Sequence, residues 1–435
     1  MRTSHPGPEA GRRTSPLPDR SLPLALLLLL APLPAMAQAP LTLSEALAEA
    51  RAHNATLPVA AYDTAMAAAA LGAARGRLGP TLGVDGDVHG GVPSHYASDD
   101  ARLQLVGDLP IYDGGRLRAS VRQAQAAQAV SAARFRVARR DLDFQVTAVY
   151  SQAIELEDEL ALGVRGLDRL RRYQELIAAR RESGQPVAGD LLKAQVELDR
   201  AAADTAETHR QLAGADLQLC ELLGRAPADS LDLAPLPPPA PPGPAGGEPW
   251  AATPDLAAAA AATRSAQSAI AVVQADRRPH LDLAANVGAE PVLGSSFAAP
   301  FNTGRGAGAE VLVSFSWPLW DRGVYRSDLE GAQLALAQST QQETAARIAA
   351  RSAWSQARAD LEHLYAVVRL REATVPAAED AYLETESLYR GGAADALEVL
   401  DAYAQWLQAG LDAAGARLAY RLAEARERRW GGDTP

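Results

Sequence analysis

The residues able to do acid–base, metal or nucleophilic chemistry are scattered along this chain rather than gathered. His53, His89, His95, His209, His280 and His363 show no ligand spacing, and no nucleophile motif or phosphate-binding loop occurs. His95 beside Asp99 and Asp100 is the nearest approach to a metal site and reads as a solvated loop. Cys220 is the only cysteine, and in the context Leu217-Gln218-Leu219-Cys220-Glu221-Leu222-Leu223 it is a packed thiol. No catalytic set, no metal site and no cofactor is therefore expected. What remains is a pair of acidic turns. Gly184 is followed by Asp190, Leu192 and Ala194, and Gly392 by Glu398, Leu400 and Ala402 at the same offsets, with Asp401 beside them. These carboxylates fall where helices start, so capping or solvated first-turn placement would explain them.

Each turn closes a very long helical pattern. Phe135, Leu142, Val149, Leu156, Leu170 and Ile177 lie on a seven-residue grid, with Val146, Ala153, Leu160 and Leu167 on companion positions and no proline before Pro186. A helix over about Gly115 to Arg181 would be about 100 Å long at 1.5 Å per residue. A sustained seven-residue pattern of that length belongs to a coiled-coil-like assembly. In the second half Trp354, Leu361, Val368, Val375, Tyr382 and Tyr389 are again seven apart, and Pro376 should bend this helix without ending it.

Upstream of both long helices the period changes to two. Strands are expected at about 81–92 and 101–110, where Leu82, Val84 and Val88 alternate with Asp85, Asp87 and His89, and Leu103, Leu105 and Leu109 with Arg102, Gln104 and Asp108. A second pair, about 280–289 and 307–317, sets Val311, Val313, Phe315 and Trp317 against Glu310, Ser314 and Ser316. Apolar on one face and polar on the other, such strands suit a lipid–water boundary, although a half-buried hairpin of a soluble domain would look alike. Strand gives way to helix at Pro110-Ile111-Tyr112-Asp113-Gly114-Gly115 and again at Pro318-Leu319-Trp320-Asp321-Arg322-Gly323. A helix from Thr42 or Ser44 to about Arg77 leads into the first hairpin, and one from Pro254 to about Arg277 into the second.

The chain is thus two copies of one helix–hairpin–long helix–helix unit. Pro110 to Pro318 and Gly184 to Gly392 are both 208 positions apart, whereas Pro80 to Pro279 is 199, which puts the extra residues in the loop Glu290 to Arg305. Residues 38–226 form the first repeat, 227–249 a Pro/Gly-rich linker without regular structure, and 250–435 the second repeat. Residues 1–37 read as a signal peptide: Arg2, Arg12, Arg13 and Arg20 precede an apolar run from Leu22 to Leu33, and Ala35-Met36-Ala37 supplies the cleavage spacing. Its loss would change the net charge from −11 to −13, which argues against a nucleic-acid partner. Beyond the leader the sequence shows no unbroken apolar run of about 18 residues, so strands are the expected route into a membrane.

Four strands cannot close a membrane barrel, because about eight is the smallest spanning barrel and lipid does not tolerate open edges. Several chains must share one, and a trimer would supply twelve strands. Tyr112, Trp317 and Trp320 would then sit at the membrane–water interface, where amphipathic rings are favoured. From about Leu41 to Trp430, the order of elements, the paired junctions and the paired tips resemble the TolC-like outer-membrane efflux ducts of Gram-negative bacteria. The resemblance implies a mainly α protein with a membrane β-hairpin pair. It implies a homotrimer whose 12-stranded β-barrel in the outer membrane is continuous with an α-helical barrel in the periplasm. It also implies a periplasmic adaptor and an inner-membrane pump as partners, docked through tips at Gly184, Leu192, Gly392 and Leu400. By the same resemblance Tyr389 would bond to Asp190, the acid of the first tip, tying neighbouring coiled coils closed at the periplasmic gate, and Glu398 and Asp401 would line its constriction. Ala394 departs from the family, which carries there an arginine that braces the closed state. A second reading, an exported coiled-coil structural or adaptor protein without a pore, explains the heptads and tips but not the matched strands.

Overall fold

The computed structural model describes residues 40–89, 98–182, 188–227, 231–244, 247–290, 292–294 and 306–431. The expected leader, His95, Gly184 and most of the loop 290–305 lie outside the described residues. Helices dominate. α1 (Leu43–His53) starts with a capping box in which the Thr42 hydroxyl accepts from the Glu45 amide and Glu45 accepts from the Thr42 amide. The expected single helix to Arg77 is in fact broken, and α2 begins separately (Thr56–Gly76). Asn54 makes the break: its side chain is buried, donates to the Leu222 carbonyl at 3.0 Å and accepts from the Thr56 amide at 2.9 Å. Asparagine competes with the helical backbone in this way, and the Ala-rich surroundings hide it.

The 67-residue α3 (Arg116–Glu182) and the 68-residue α6 (Val324–Gly391) are each continuous, and Pro376 lies inside α6 without ending it. Leu142, Val149, Leu156, Leu170 and Ile177 of the first grid are buried, as are Leu361, Val368, Tyr382 and Tyr389 of the second. Antiparallel returns are made by α4 (Ala188–Leu223) and α7 (Ala396–Trp430). α5 (Pro254–Asp276) lies against both α3 and α6, whereas α2 lies against α3. By length and composition alone α2 and α5 are long and apolar enough to cross a membrane, which the search for unbroken apolar runs missed. Their hydropathy comes from alanine, whose small side chain lets helices approach closely.

Five strands, β1 (Thr81–His89), β2 (Ser98–Tyr112), β3 (His280–Glu290), β4 (Val292–Gly294) and β5 (Gly306–Ser316), form one antiparallel sheet. Its order is β1-β2-β3-β5, and the short β4 adds to the far end of β2. Register keeps each parity on one face across the chain. Val84, Leu105, Val287 and Ala309 form one row, and Leu109, Leu283 and Val313 another; Asn286 opposite Glu310 and Asp282 opposite Ser314 belong to the other face. No described strand residue is buried, and Leu82 and Val311 are 75% and 71% exposed. Among the described residues nothing covers the apolar face or pairs the outer edges of β1 and β5, and such a sheet is unfinished in water.

The linker is packed, although its described residues show neither helix nor strand before a short 3-10 turn at Pro249–Ala252. Leu41 donates to Asp232 O at 2.8 Å and accepts from the Ala234 amide at 2.9 Å, forming an isolated parallel bridge with Leu233. The Tyr150 hydroxyl lies within hydrogen-bond distance of the Leu41 and Ala234 carbonyls, and Tyr420 donates to Ala240 O at 2.7 Å. Residues 231–243 thereby form a strap pinned to α3 and α7.

Candidate functional site

At both junctions an aspartate converts strand into helix. Asp113 accepts from the amides of Gly115 and Leu117, and Asp321 from those of Gly323 and Tyr325 at 3.0 and 2.9 Å. These amides hold the Asp321 carboxyl below the usual range. The two residues after each aspartate take left-handed backbone: Gly114 and Gly115 at φ 65° and 92°, Arg322 and Gly323 at 55° and 89°. The turn demands glycine at its second left-handed place, and at the first the two junctions differ. Tyr112, Trp317 and Trp320 all stand exposed at this rim, and the Trp317 indole donates to Arg277 O at 3.2 Å.

The tip is built from an aromatic cluster. α6 ends at Gly392, whose φ of 81° allows its amide to reach Tyr389 O while the Ala393 amide reaches Leu388 O, closing the helix in the manner of a Schellman turn. Asp395 then caps α7 and Glu398 completes the capping box by accepting from the Asp395 amide at 3.1 Å. Asp401 remains exposed and accepts from Gln405 at 2.7 Å. Asp190 lies half-buried in the first turn of α4, and Leu192 is exposed beside it. Tyr389 is buried with its ring edge-on to Tyr173 at 5.2 Å, and its hydroxyl has no hydrogen-bond partner among the described residues. Burial first, then the facing Tyr389 and Asp190, push the Tyr173 hydroxyl well above the ordinary phenol range. The single chain therefore brings Tyr389 and Asp190 to Tyr173, with Leu400 packed on the same cluster and Gly392 beside Arg180, but it does not form the Tyr389–Asp190 bond.

Sequence reasoning missed the arginines of this knot. Arg180 stacks its guanidinium 4.5 Å over the Tyr389 ring and donates to the Tyr389 carbonyl at 2.9 Å, bracing α6 from α3. Arg169 lies 3.8 Å over Trp406 and 5.1 Å from Tyr382 and pairs with Glu379. Gly166 makes room for Tyr403, because a Cβ there would stand 2.7 Å from its hydroxyl. A partial signal was present: Tyr173 and Arg180 are seven apart on α3, as Tyr382 and Tyr389 are on α6.

Further up the helices, acids accumulate beside the strap. Glu155 pairs with Arg417 at 3.1 Å, and burial, partly offset by Arg417, raises its carboxyl. Asp216 is 3% exposed with one carboxylate oxygen unpartnered, and burial raises it too; Glu157 is raised by burial and then by Asp216.

A family model described as outer membrane efflux protein matches residues 46–225 and 250–429, one stretch in each repeat. Protein CyaE of Bordetella pertussis is 28% identical over 309 residues, covering 69% of this chain and 64% of that relative, less than two thirds of its length. Among solved structures, the outer membrane protein VceC of Vibrio cholerae superposes with a TM-score of 0.79 at 18% identity, over 90% of this chain and 97% of that one. The open-state MtrE outer membrane channel of Neisseria gonorrhoeae gives 0.76 at 22% identity, over 90% and 89%. The structural likeness fixes the fold, and the family model, matched across most of both repeats, shows that the chain belongs to the outer membrane efflux protein family.

Proposed function

We propose that three copies of this chain close a twelve-stranded barrel in the outer membrane, continuous with a periplasmic helical tunnel. Through this conduit substrates handed over by an inner-membrane pump and a periplasmic adaptor leave the cell passively. One observation carries the reading: a sheet with an uncovered apolar face and two open edges runs through Asp-capped turns directly into helices of 67 and 68 residues. Lipid would cover the apolar face, and neighbouring copies would pair the edges. Tyr112, Trp317 and Trp320 mark the inner rim. The leader over 1–37 would direct export, leaving a mature chain that starts at Gln38, and the repeats 38–226 and 250–435 would alternate around the ring.

At the periplasmic end Asp190, Tyr389, Glu398 and Asp401 form the gate, and three copies of each exposed acid would make carboxylate rings that favour cations. Gly184, Leu192, Gly392 and Leu400 dock the adaptor. The test is the conductance of the purified protein in planar bilayers. In the closed assembly Tyr389 would bond Asp190, a bond absent from the single chain, so Tyr389→Phe and Asp190→Ala are each expected to raise leak conductance, and unchanged conductance in both would remove the gate assignment. Crosslinking from Gln185 and Ala393 should capture the adaptor. An exported coiled-coil protein without a pore would instead be released from membranes by salt.

A further inference from the structure

The two repeats align without a gap from α2 through β1 onto α5 through β3: Leu57 with Leu256, Thr64 with Thr263 and Pro80 with Pro279. Equivalent positions differ in burial. Ala261 on α5 is 1% exposed, whereas Tyr62, its counterpart on α2, is 68% exposed, with Val59 and Met66 beside it at 62% and 63%. On the opposite edge of the molecule Leu334 and Ile348 of α6 are 64% and 65% exposed. Within the chain, the α3–α5 contact carries the Arg140–Asp255 ion pair; the counterparts on α6 and α2 are Ile348 and Thr56. A contact that is ionic inside the chain thus has an uncharged equivalent on its two open edges.

The junctions sharpen this. Inside the chain the turn between α5 and β3 sits on the first junction, where Arg278 donates to Gly114 O at 2.6 Å. A Cβ on Gly114 would stand 2.6 Å from the Arg278 Cβ, so only glycine fits. At the second junction the equivalent of Gly114 is Arg322, in the same left-handed conformation. On the turn between α2 and β1 the equivalent of Arg278 is Gly79, which has no Cβ to collide with. Large and small residues have changed places.

Where the α6–β5 edge of one copy meets the α2–β1 edge of the next, we propose that Arg322 of the first lies over Gly79 of the second and keys the seam. This rests on the shared-barrel reading above. Copying the β2–β3 register onto the seam pairs Phe315 with Gly86 and Val313 with Val88, all on the apolar parity of the sheet. The key also selects order: Arg322 collides with a turn bearing Arg278, so a second junction accepts only a first-repeat turn, and repeats alternate around the ring. The adjacent carbonyl, Ala275 O in the intrachain contact at 2.9 Å from the built Cβ, corresponds to Gly76 O and asks for a small outward shift at the seam.

The experiment is a reciprocal swap read by native mass spectrometry of the detergent-extracted protein. Gly79→Arg should lose the trimer, and adding Arg322→Gly, which rebuilds at the seam the pairing found inside the chain, should restore it. Independently, Gly79→Cys with Arg322→Cys in a Cys220→Ala background should give covalent trimers on oxidation. A wild-type trimer whose Gly79→Arg variant still assembles, whose swap fails to rescue or whose cysteine pair does not crosslink overturns the key while leaving the barrel reading intact. A monomeric wild type overturns both.

Discussion

The sheet and the helical tip solve the problem of apolar surface in opposite ways. At the tip, Tyr173, Tyr382, Tyr389, Tyr403 and Trp406 bury one another within a single chain, and Arg169 and Arg180 close the cluster from above. In the sheet no described residue is buried, and the apolar row awaits something outside the chain. The aromatic cluster of the tip is packed within one chain, whereas the sheet, in the assembly proposed above, would be covered by lipid and paired by other copies. Stability of the two ends should therefore answer to different surroundings.

The strongest way to break that contrast is a charge on the lipid face. Val311→Arg should abolish the membrane-inserted form, since an arginine near the bilayer midplane costs about 2–4 kcal/mol per strand position, repeated in every copy. Circular dichroism of the detergent-free protein should keep its helical signal; a lost helical signal would mean that the two ends are not independent. Next in size, Trp406→Ala should cost about 3–5 kcal/mol from the tip core, seen as early proteolysis near Gly392 while the barrel stays protease-resistant.

The acids beside the strap give a subtler difference. Glu155, Glu157, Glu159 and Asp216 all have carboxyls raised by burial. A raised carboxyl opposes folding once pH exceeds its unfolded value, and that opposition disappears as pH falls back towards it. Helical melting temperature should accordingly rise on mild acidification. Asp216→Asn should raise it at neutral pH and shrink the acid-induced gain, because the new amide can still accept from the strap through its oxygen and donate towards Glu157. Smallest of all, Asp113→Ala should cost about 1 kcal/mol of cap energy, and Asp321→Ala should shift stability in the same direction, both measured by denaturant melts of the helices.

Much of the tip and rim could be read from residues because their signals are local or repeated. The expected span of about Gly115 to Arg181 lies within a residue or two of α3, and the second grid falls inside α6, since burial there follows a period that the sequence displays directly. The junctions were legible because they occur twice. The break at Asn54 was not, since its partner is a carbonyl at Leu222, far along the chain. Backbone acceptors leave no trace in side-chain identity, and for the same reason the strap under Tyr150 and Tyr420 looked like bare linker. Arg169 and Arg180 escaped notice because each stacks on a ring more than 200 positions away, and an arginine on a helix face usually meets water.

The β2–β3 ladder has a consequence for timing. The long helical hairpins join segments that follow one another closely, whereas this ladder pairs Leu105 with Val287, across the first tip and the strap. Contacts between distant segments form late, because the chain entropy lost in closing them is large. The helical hairpins should therefore fold before this ladder closes, which hydrogen exchange during refolding would check by protecting α3 and α4 amides ahead of those of β2 and β3. The apolar face of the sheet would then be assembled last, beside the bilayer proposed to cover it.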